Sequence, residues 1–401
     1  MTRLRRIASW IHLYGGLALG IVLIVVSVSG SALVFKDPID RWLRPDLHQV
    51  EAAGSWVSLD EMMAAVRAAY PGDRPYLVEM PDDAAGSVTV WLGPDAPRVF
   101  VDPYRGTLLG TRGPEEGVVN TLSALHINLF AGGIGLKMVG ALGLLLVVLT
   151  VTGLILWWPR RLQGLWAALR IAWRHGSLRF NYDLHRAGGF YTTIFLLLTA
   201  LTGAAFAFYP TAKSLVNTAT ASEPWPPAPP TVEVPPDSTR DPGQIGYEAA
   251  FRSALERLPG AEPSFMYVPA TPTEPLTVRL RTPQEWHPNG RSFVHVHPDP
   301  DRGTVLRVDD ARTAPTGARL LQTFYPLHIG AVGGLLGKVL YVMFGLAPAV
   351  LTVTGTVIWY GRWRGATPTN SPASTPDTRP AVLPDRPRDG RARAPGRSAA
   401  D

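Results

Sequence analysis

Leu149-Thr150-Val151-Thr152-Gly153 returns 202 positions later as Leu351-Thr352-Val353-Thr354-Gly355. Both copies lie in runs free of Asp, Glu, Lys and Arg, at 138–158 and 339–361, and two more such runs occupy 7–35 and 187–212. About 20 apolar residues cross the hydrocarbon core of a bilayer, so the pattern predicts four transmembrane helices. Composition agrees: 46% of the 401 residues are hydrophobic and 17% charged, against about 25% charged in soluble proteins. An ordinary soluble enzyme is excluded. With no cysteine in the chain, disulfides, Cys-ligated zinc, iron–sulfur clusters and Cys nucleophiles are excluded too.

The repeat extends outward from these runs. Leu125-His126 recurs as Leu327-His328, again at an offset of 202, and each is followed by Gly-Gly and then by Lys137 or Lys338. His12-Leu-Tyr-Gly15-Gly16 opens a run that ends in Ser29-Gly30, and His185-Arg-Ala-Gly188-Gly189 opens one that ends in Thr202-Gly203. Four elements in the same order predict a tandem duplication. Each half reads as a span outward, an external domain, a His-bearing segment and a span back.

Charge sets the expected topology. Residues 1–6 carry three Arg, 159–186 carry six Arg and one Asp, and 362–401 carry eight Arg and four Asp. Residues 36–116 are net −6 and 213–319 net −2. Cytoplasmic segments are the basic ones, so both termini and the 159–186 loop are expected inside a bacterial inner membrane. This accounts for the pI near 9.6 without nucleic-acid binding. The first span is too long for a signal-peptide core and reads as an uncleaved anchor. Trp10, Trp157, Trp158, Trp359 and Trp363 fall at the cytoplasmic edge, as an interfacial aromatic belt would.

The expected division is a first span over 1–36, an external domain over 37–116, a His-bearing segment and second span over 117–159, and a cytoplasmic loop over 160–184. A third span over 185–212, a Pro-rich linker over 213–243 and a second external domain over 244–318 follow. The chain ends with a His-bearing segment and fourth span over 319–361 and a disordered cytoplasmic tail over 362–401. Each external domain reads as a small α+β module. In the first, a helix behind Ser58 precedes strands near 76–80, 87–92, 98–101 and 107–111; in the second, a helix over 247–258 precedes strands near 264–268, 276–280, 292–297 and 304–308.

The paired halves, the His-x-x-Gly-Gly openings, the Leu-His…Gly-Gly…Lys segments, the Thr-Gly span ends and Val101-Asp-Pro-Tyr-Arg-Gly-Thr-Leu-Leu-Gly110 together resemble the PepSY-associated transmembrane helix family over roughly residues 1–365. The resemblance implies PepSY-like external domains and places the chain near iron-regulated membrane proteins and ferric-siderophore reductases with two b-type haems. Trp10-Ile-His12 departs from the Leu-His form of the other three histidines.

Under that reading His12 and His185, at the starts of spans 1 and 3, would ligate the iron of an inner haem. His126 and His328, just before spans 2 and 4, would ligate the iron of an outer one. Gly15, Gly16, Gly188 and Gly189, one turn beyond the inner histidines, would open a flat slot for a porphyrin. The plainer alternative is that interfacial histidines snorkel and glycines let helices approach. Asp183 and Arg186 can orient His185 or meet a propionate, or simply form an interfacial ion pair; Lys137 and Lys338 can meet propionates on the outer side or simply mark the span boundaries. His295 and His297 share one strand face, with His287 close by, which suits a metal site, but the plainer reading is a solvent-facing strand. His48 and His175 show no constellation.

There is no Gly-x-Gly-x-x-Gly after a strand and no P-loop, and the 159–186 loop is too short for a nucleotide domain. Electrons must come from an external donor, a quinol or a flavoprotein. The expected function is electron transfer to an extracytoplasmic ferric chelate. The alternatives are a non-enzymatic PepSY protein that binds peptide or regulates a protease, and an iron or haem transport component.

Overall fold

The structure is a computed structural model, and it describes residues 2–93, 96–159, 161–172, 176–233, 246–282, 293–299 and 302–366. The tail expected over 362–401 falls outside these beyond residue 366, as do His175 and His287.

The first half begins with α1 (Arg3–Leu33), a short α2 (Lys36–Leu43) and α3 (Pro45–His48). Then come α4 (Leu59–Ala69) and the strands β1 (Leu77–Glu79), β2 (Val88–Trp91), β3 (Arg98–Val101) and β4 (Leu108–Arg112). The helices α5 (Val118–Asn128) and α6 (Gly132–Trp157) complete it. A short α7 (Leu165–Leu169) leads to the second half: α8 (Ser177–Ala207), α9 (Tyr209–Ala219), α10 (Tyr247–Arg257), β5 (Glu262–Tyr267), β6 (Thr277–Arg281), β7 (Phe293–Pro298), β8 (Val305–Asp310), α11 (Thr316–His328), α12 (Gly334–Gly345) and α13 (Ala347–Ala366).

Among the described residues four helical stretches are long and apolar enough to cross a membrane: Arg3–Leu33, Gly132–Trp157, Ser177–Ala207 and Gly334–Arg364. The last is two helices. Pro348 has no amide hydrogen for the Phe344 carbonyl, which interrupts the ladder between α12 and α13. At the same place a Cβ on Gly345 would come within 2.5 Å of Ser31 Oγ, so only glycine allows α12 this close to α1. The segments carrying His126 and His328 are helices of their own, α5 and α11. Trp157 departs from the expected belt. It is buried and stacks on Phe190 with ring centres 3.9 Å apart, whereas Trp10, Trp158 and Trp363 are exposed.

The two α+β modules are not separate domains. Their strands form one antiparallel eight-stranded sheet in the order β4-β3-β2-β1-β5-β6-β7-β8. The halves join where Leu77, Val78 and Glu79 face Tyr267, Met266 and Phe265. Alternation sends Val78, Val88, Val90, Met266, Val278 and Val296 to one face, where they form a single core with Met62, Met63 and Val66 of α4 and Ala250 and Ala254 of α10.

The two covering helices also cap each other. Asp60 accepts from the amides of Tyr247 and Glu248 at 2.9 and 3.3 Å, and Glu248 accepts from the Leu59 amide at 3.0 Å. Ser58 Oγ accepts from Glu61 N at 3.1 Å, the N-cap that the sequence predicts. Matching turns precede the last strand of each half: the Asp102 carboxylate takes the Tyr104 amide and that of Asp299 takes the Arg302 amide, with Gly106 and Gly303 at φ 67° and 66°.

Candidate functional site

The four interfacial histidines are built into the bundle by one recurring device. Each ring lies against the Ser/Thr-Gly end of another helix in its own half. A Cβ on Gly153 would lie 3.0 Å from His12 Cε1, on Gly355 3.1 Å from His185, on Gly203 3.1 Å from His328, and on Gly30 2.5 Å from His126. These glycines are notches that admit imidazoles. The repeat picked them out in the sequence, but contact with the histidines is a property of the packed helices.

Each ring is then held at Nδ1. His12 Nδ1 lies 3.0 Å from the Leu149 carbonyl and 3.3 Å from Thr152 Oγ1. His126 Nδ1 lies 2.8 Å from the Val26 carbonyl. His185 Nδ1 lies 3.0 Å from Thr354 Oγ1, with the Leu351 backbone as a further partner. His328 Nδ1 lies 2.9 Å from Thr202 Oγ1, with the Thr199 backbone as a further partner.

These partners decide the tautomer. The hydroxyls of Thr152, Thr354 and Thr202 already donate to the carbonyls of Val148, Val350 and Leu198 at 2.8, 2.7 and 2.7 Å. A hydroxyl has one proton, so toward the ring each of them accepts. Carbonyls only accept. All four imidazoles therefore carry their proton on Nδ1, and each Nε2 keeps a lone pair. That is the form of histidine that ligates metals.

The rings meet across the two halves. His12 and His185 have ring centres 6.1 Å apart, and His126 and His328 6.2 Å apart. The first pair lies at the end of the bundle away from the sheet and the second at the end beside it. Along α1, 14 residues separate His12 from Val26, the partner of His126, which at 1.5 Å per residue is about 21 Å.

The chain belongs to the PepSY-associated TM region family. The match covers residues 9–362, which include all four histidines. Comparison with curated proteins gives no match.

The residues fit a group that brings most of its own ligands. Two imidazole nitrogens at about 2.0–2.1 Å on opposite sides of a metal put their ring centres about 6 Å apart, close to the 6.1 and 6.2 Å found. Among the described residues no group of three or more His, Cys, Asp or Glu is placed to hold a bare metal ion. The slot glycines divide. A Cβ on Gly16 would meet nothing within 4 Å and one on Gly188 only Leu184 of its own helix, whereas Gly15 and Gly189 back onto Leu149 and Leu351 at 3.2 and 3.7 Å. Of the four, Gly15 is the one at a tight helix approach.

Lys137, Lys338 and Asp183 each have protein neighbours. Lys137 donates to the Ala207 carbonyl and lies over the Phe208 ring, and Lys338 lies 5.9 Å from the Phe35 ring centre. Buried Asp183 takes Arg179 at 2.8 Å and the Ala172 amide at 3.3 Å and so is held by these neighbours.

On the sheet, His297 uses both ring nitrogens, with Thr277 Oγ1 and Asp309 Oδ2 each 2.9 Å away, and has none for a metal. Burial lowers the pKa of His297, a nearby Asp309 opposing it. Burial, with His297 and Arg279 adding to it, brings His295 down to about 3.

Sequence reasoning passed over one cluster. His48 Nε2 lies 3.0 Å from Asp40, whose carboxylate also accepts two bonds from Arg112 at 2.6 and 2.8 Å. Burial would raise Asp40, but these bonds outweigh it and hold the carboxyl far below its usual range. Arg112 stands 72 residues from Asp40, and no local pattern marks the set. Together they tie α2 and α3 to the outermost strand.

Proposed function

We propose that this protein is a dihaem electron-transfer protein of the bacterial inner membrane that reduces a ferric chelate on its extracytoplasmic side. The carrying observation is the arrangement of four Nδ1-anchored histidines in two cross-half pairs, one at each end of the bundle. In this reading His12 and His185 hold one b-type haem and His126 and His328 the other, and the two halves descend from a duplicated unit whose external parts are PepSY-like. The basic segments support a topology with both termini and the His12–His185 end in the cytoplasm. The haems, when bound, supply one-electron carriers whose iron has no position left for substrate.

The chain's own residues do the rest. The glycine notches and Nδ1 acceptors fix each ring before a ligand arrives, so little side-chain freedom remains to be lost on binding. The apolar helices exclude water from the path between the pairs. The sheet stands at the end where electrons leave, and a donor, a quinol or a flavoprotein, reaches the other end. Reduction by one electron weakens the chelate's hold on iron and releases it as ferrous ion.

The test is the visible spectrum and haem content of the detergent-purified protein. Two haems per chain are expected, and His12→Ala and His126→Ala should each remove a different one. Dithionite-reduced protein should then be reoxidised by ferric hydroxamate with ferrous iron appearing. Protein without haem, or haems that stay reduced in excess ferric chelate, would overturn the reading.

A further inference from the structure

We propose that an anionic, carboxylate-bearing ferric chelate binds between the polar face of the sheet and the His126–His328 end of the bundle, against Arg98, Trp91 and Lys36. The proposal rests on the reductase reading above and names the charge of its acceptor and the place where it docks.

The place follows from how the halves meet. Equivalent elements that meet must straddle the axis that relates the halves. The first strands of the two modules, β1 and β5, pair with each other, and His126 stands beside His328. The seam of the sheet therefore lies on the same axis as that histidine pair. Val78, Val90, Val99 and Met266 point to the core under α4 and α10, so alternation turns Glu79, Trp91, Arg98 and Tyr267 the other way. On that side Lys36, at the start of α2, is within electrostatic range of Tyr325, Glu79 and Arg98. Tyr325 stands three residues before His328 on α11, about 4.5 Å along the helix. Phe206 lies beside both rings, at 6.3 Å from Tyr325 and 5.5 Å from His328.

This side of the seam is open where the core side is shut. Val78 and Met266 are 0% exposed, whereas Tyr267 is 40% exposed and the Lys36 side chain 44%. Glu79, Trp91 and Arg98 are half-buried.

Charge selects the occupant. The Arg98 guanidinium lies over the Trp91 ring, 3.7 Å from its centre, and among the described residues no acid forms an ion pair with it. Directly opposite on β4 is another cation, Arg112, which takes the carboxylate of Asp40. Like charges facing each other across two strands are unfavourable. Lys36 has Asp37 at 4.0 Å, with both side chains largely exposed. The acid on this face is Glu79. It accepts from Trp91 Nε1 at 3.3 Å, and burial pushes its carboxyl upward, which lessens the charge it sets against an anion. A carboxylate beside Arg98 and Lys36 offsets the repulsion and matches the guanidinium fork. The indole gives the chelate a flat apolar wall. A neutral chelate brings no anion to these cations.

The test is binding of gallium(III) citrate to the detergent-purified full-length protein, followed by calorimetry. Gallium(III) has the charge and size of iron(III) and is not reduced, so binding is read apart from electron transfer. Arg98→Gln and Lys36→Gln should each weaken binding by about tenfold. Arg98→Lys should weaken it less, because the charge remains. A neutral gallium trihydroxamate should bind the parent more weakly than the citrate complex does. No binding by the parent, equal affinity in parent, Arg98→Gln and Lys36→Gln, or equal affinity for the citrate and hydroxamate complexes would overturn the proposal and leave the haem content untouched. Protein that binds gallium citrate as expected but holds no haem would overturn the reductase reading instead.

Discussion

Gly30→Ala is the sharpest test of how the histidines are seated. The added Cβ would stand 2.5 Å from His126 Cε1 and 2.7 Å from its Nδ1, about 1 Å inside ordinary carbon contact. The ring cannot retreat freely, because its Nδ1 is held at 2.8 Å by Val26 on the same helix. A shift of about 1 Å would stretch that bond beyond hydrogen-bonding range. Overpacking of this kind costs about 1–3 kcal/mol, and the bond about 1 kcal/mol more. Replacing glycine by alanine inside a helix returns about 1 kcal/mol. The net expectation is a loss of about 1–3 kcal/mol together with a displaced His126. Gly361→Ala is the matched control: it belongs to no proposed haem slot and its Cβ meets nothing within 4 Å, so helix propensity acts alone and stability should rise by up to about 1 kcal/mol. Thermal unfolding in detergent, read beside haem content, separates the two. If Gly30→Ala is as stable as the parent and keeps its full haem complement, the notch argument is wrong.

Other expectations concern the sheet end. Arg112→Met leaves Asp40 with His48 as its remaining partner and should cost about 3–5 kcal/mol, seen as a lower midpoint of unfolding, while breaking the exposed Arg44–Asp46 pair should leave the midpoint unchanged. Asp60→Ala takes acceptors from two amides of α10 and should cost about 1–2 kcal/mol; equal midpoints for mutant and parent would deny the reciprocal cap. For pH, the folded pKa of His295 is about 3, below its ordinary value of about 6.5. The unfolded chain therefore takes up a proton that the folded one refuses, and stability that is complete above pH 6.5 should fall as pH drops toward 3. His297 is shifted the same way. Lowered Asp40 adds a loss further into acid. His295→Phe should flatten the fall between pH 6 and 4, and an unchanged slope would remove His295 as its source.

The sequence alone determined the features with a short period or a gross imbalance. Four charge-free runs predict the spans because a bilayer imposes one length on every helix that crosses it. The external strands and the helix behind Ser58 are visible in alternation and capping, which are local. The identity of the four histidines as a set also came from the sequence, through their repeated offsets from Gly-Gly and Thr-Gly.

What only the tertiary structure decided is how these pieces face one another. The pairing of β1 with β5 merges two modules into one sheet with one core; no pattern in either strand names its neighbour. The Asp40–His48–Arg112 cluster joins residues from three elements and left no local trace. The glycines assigned to a slot beside His12 and His185 partly serve packing, while those that receive the rings, Gly30, Gly153, Gly203 and Gly355, lie on other helices. A contact between helices depends on their rotation and crossing. Those follow from the sum of all the side chains at the interface, so the sequence holds them only in a form that folding must work out.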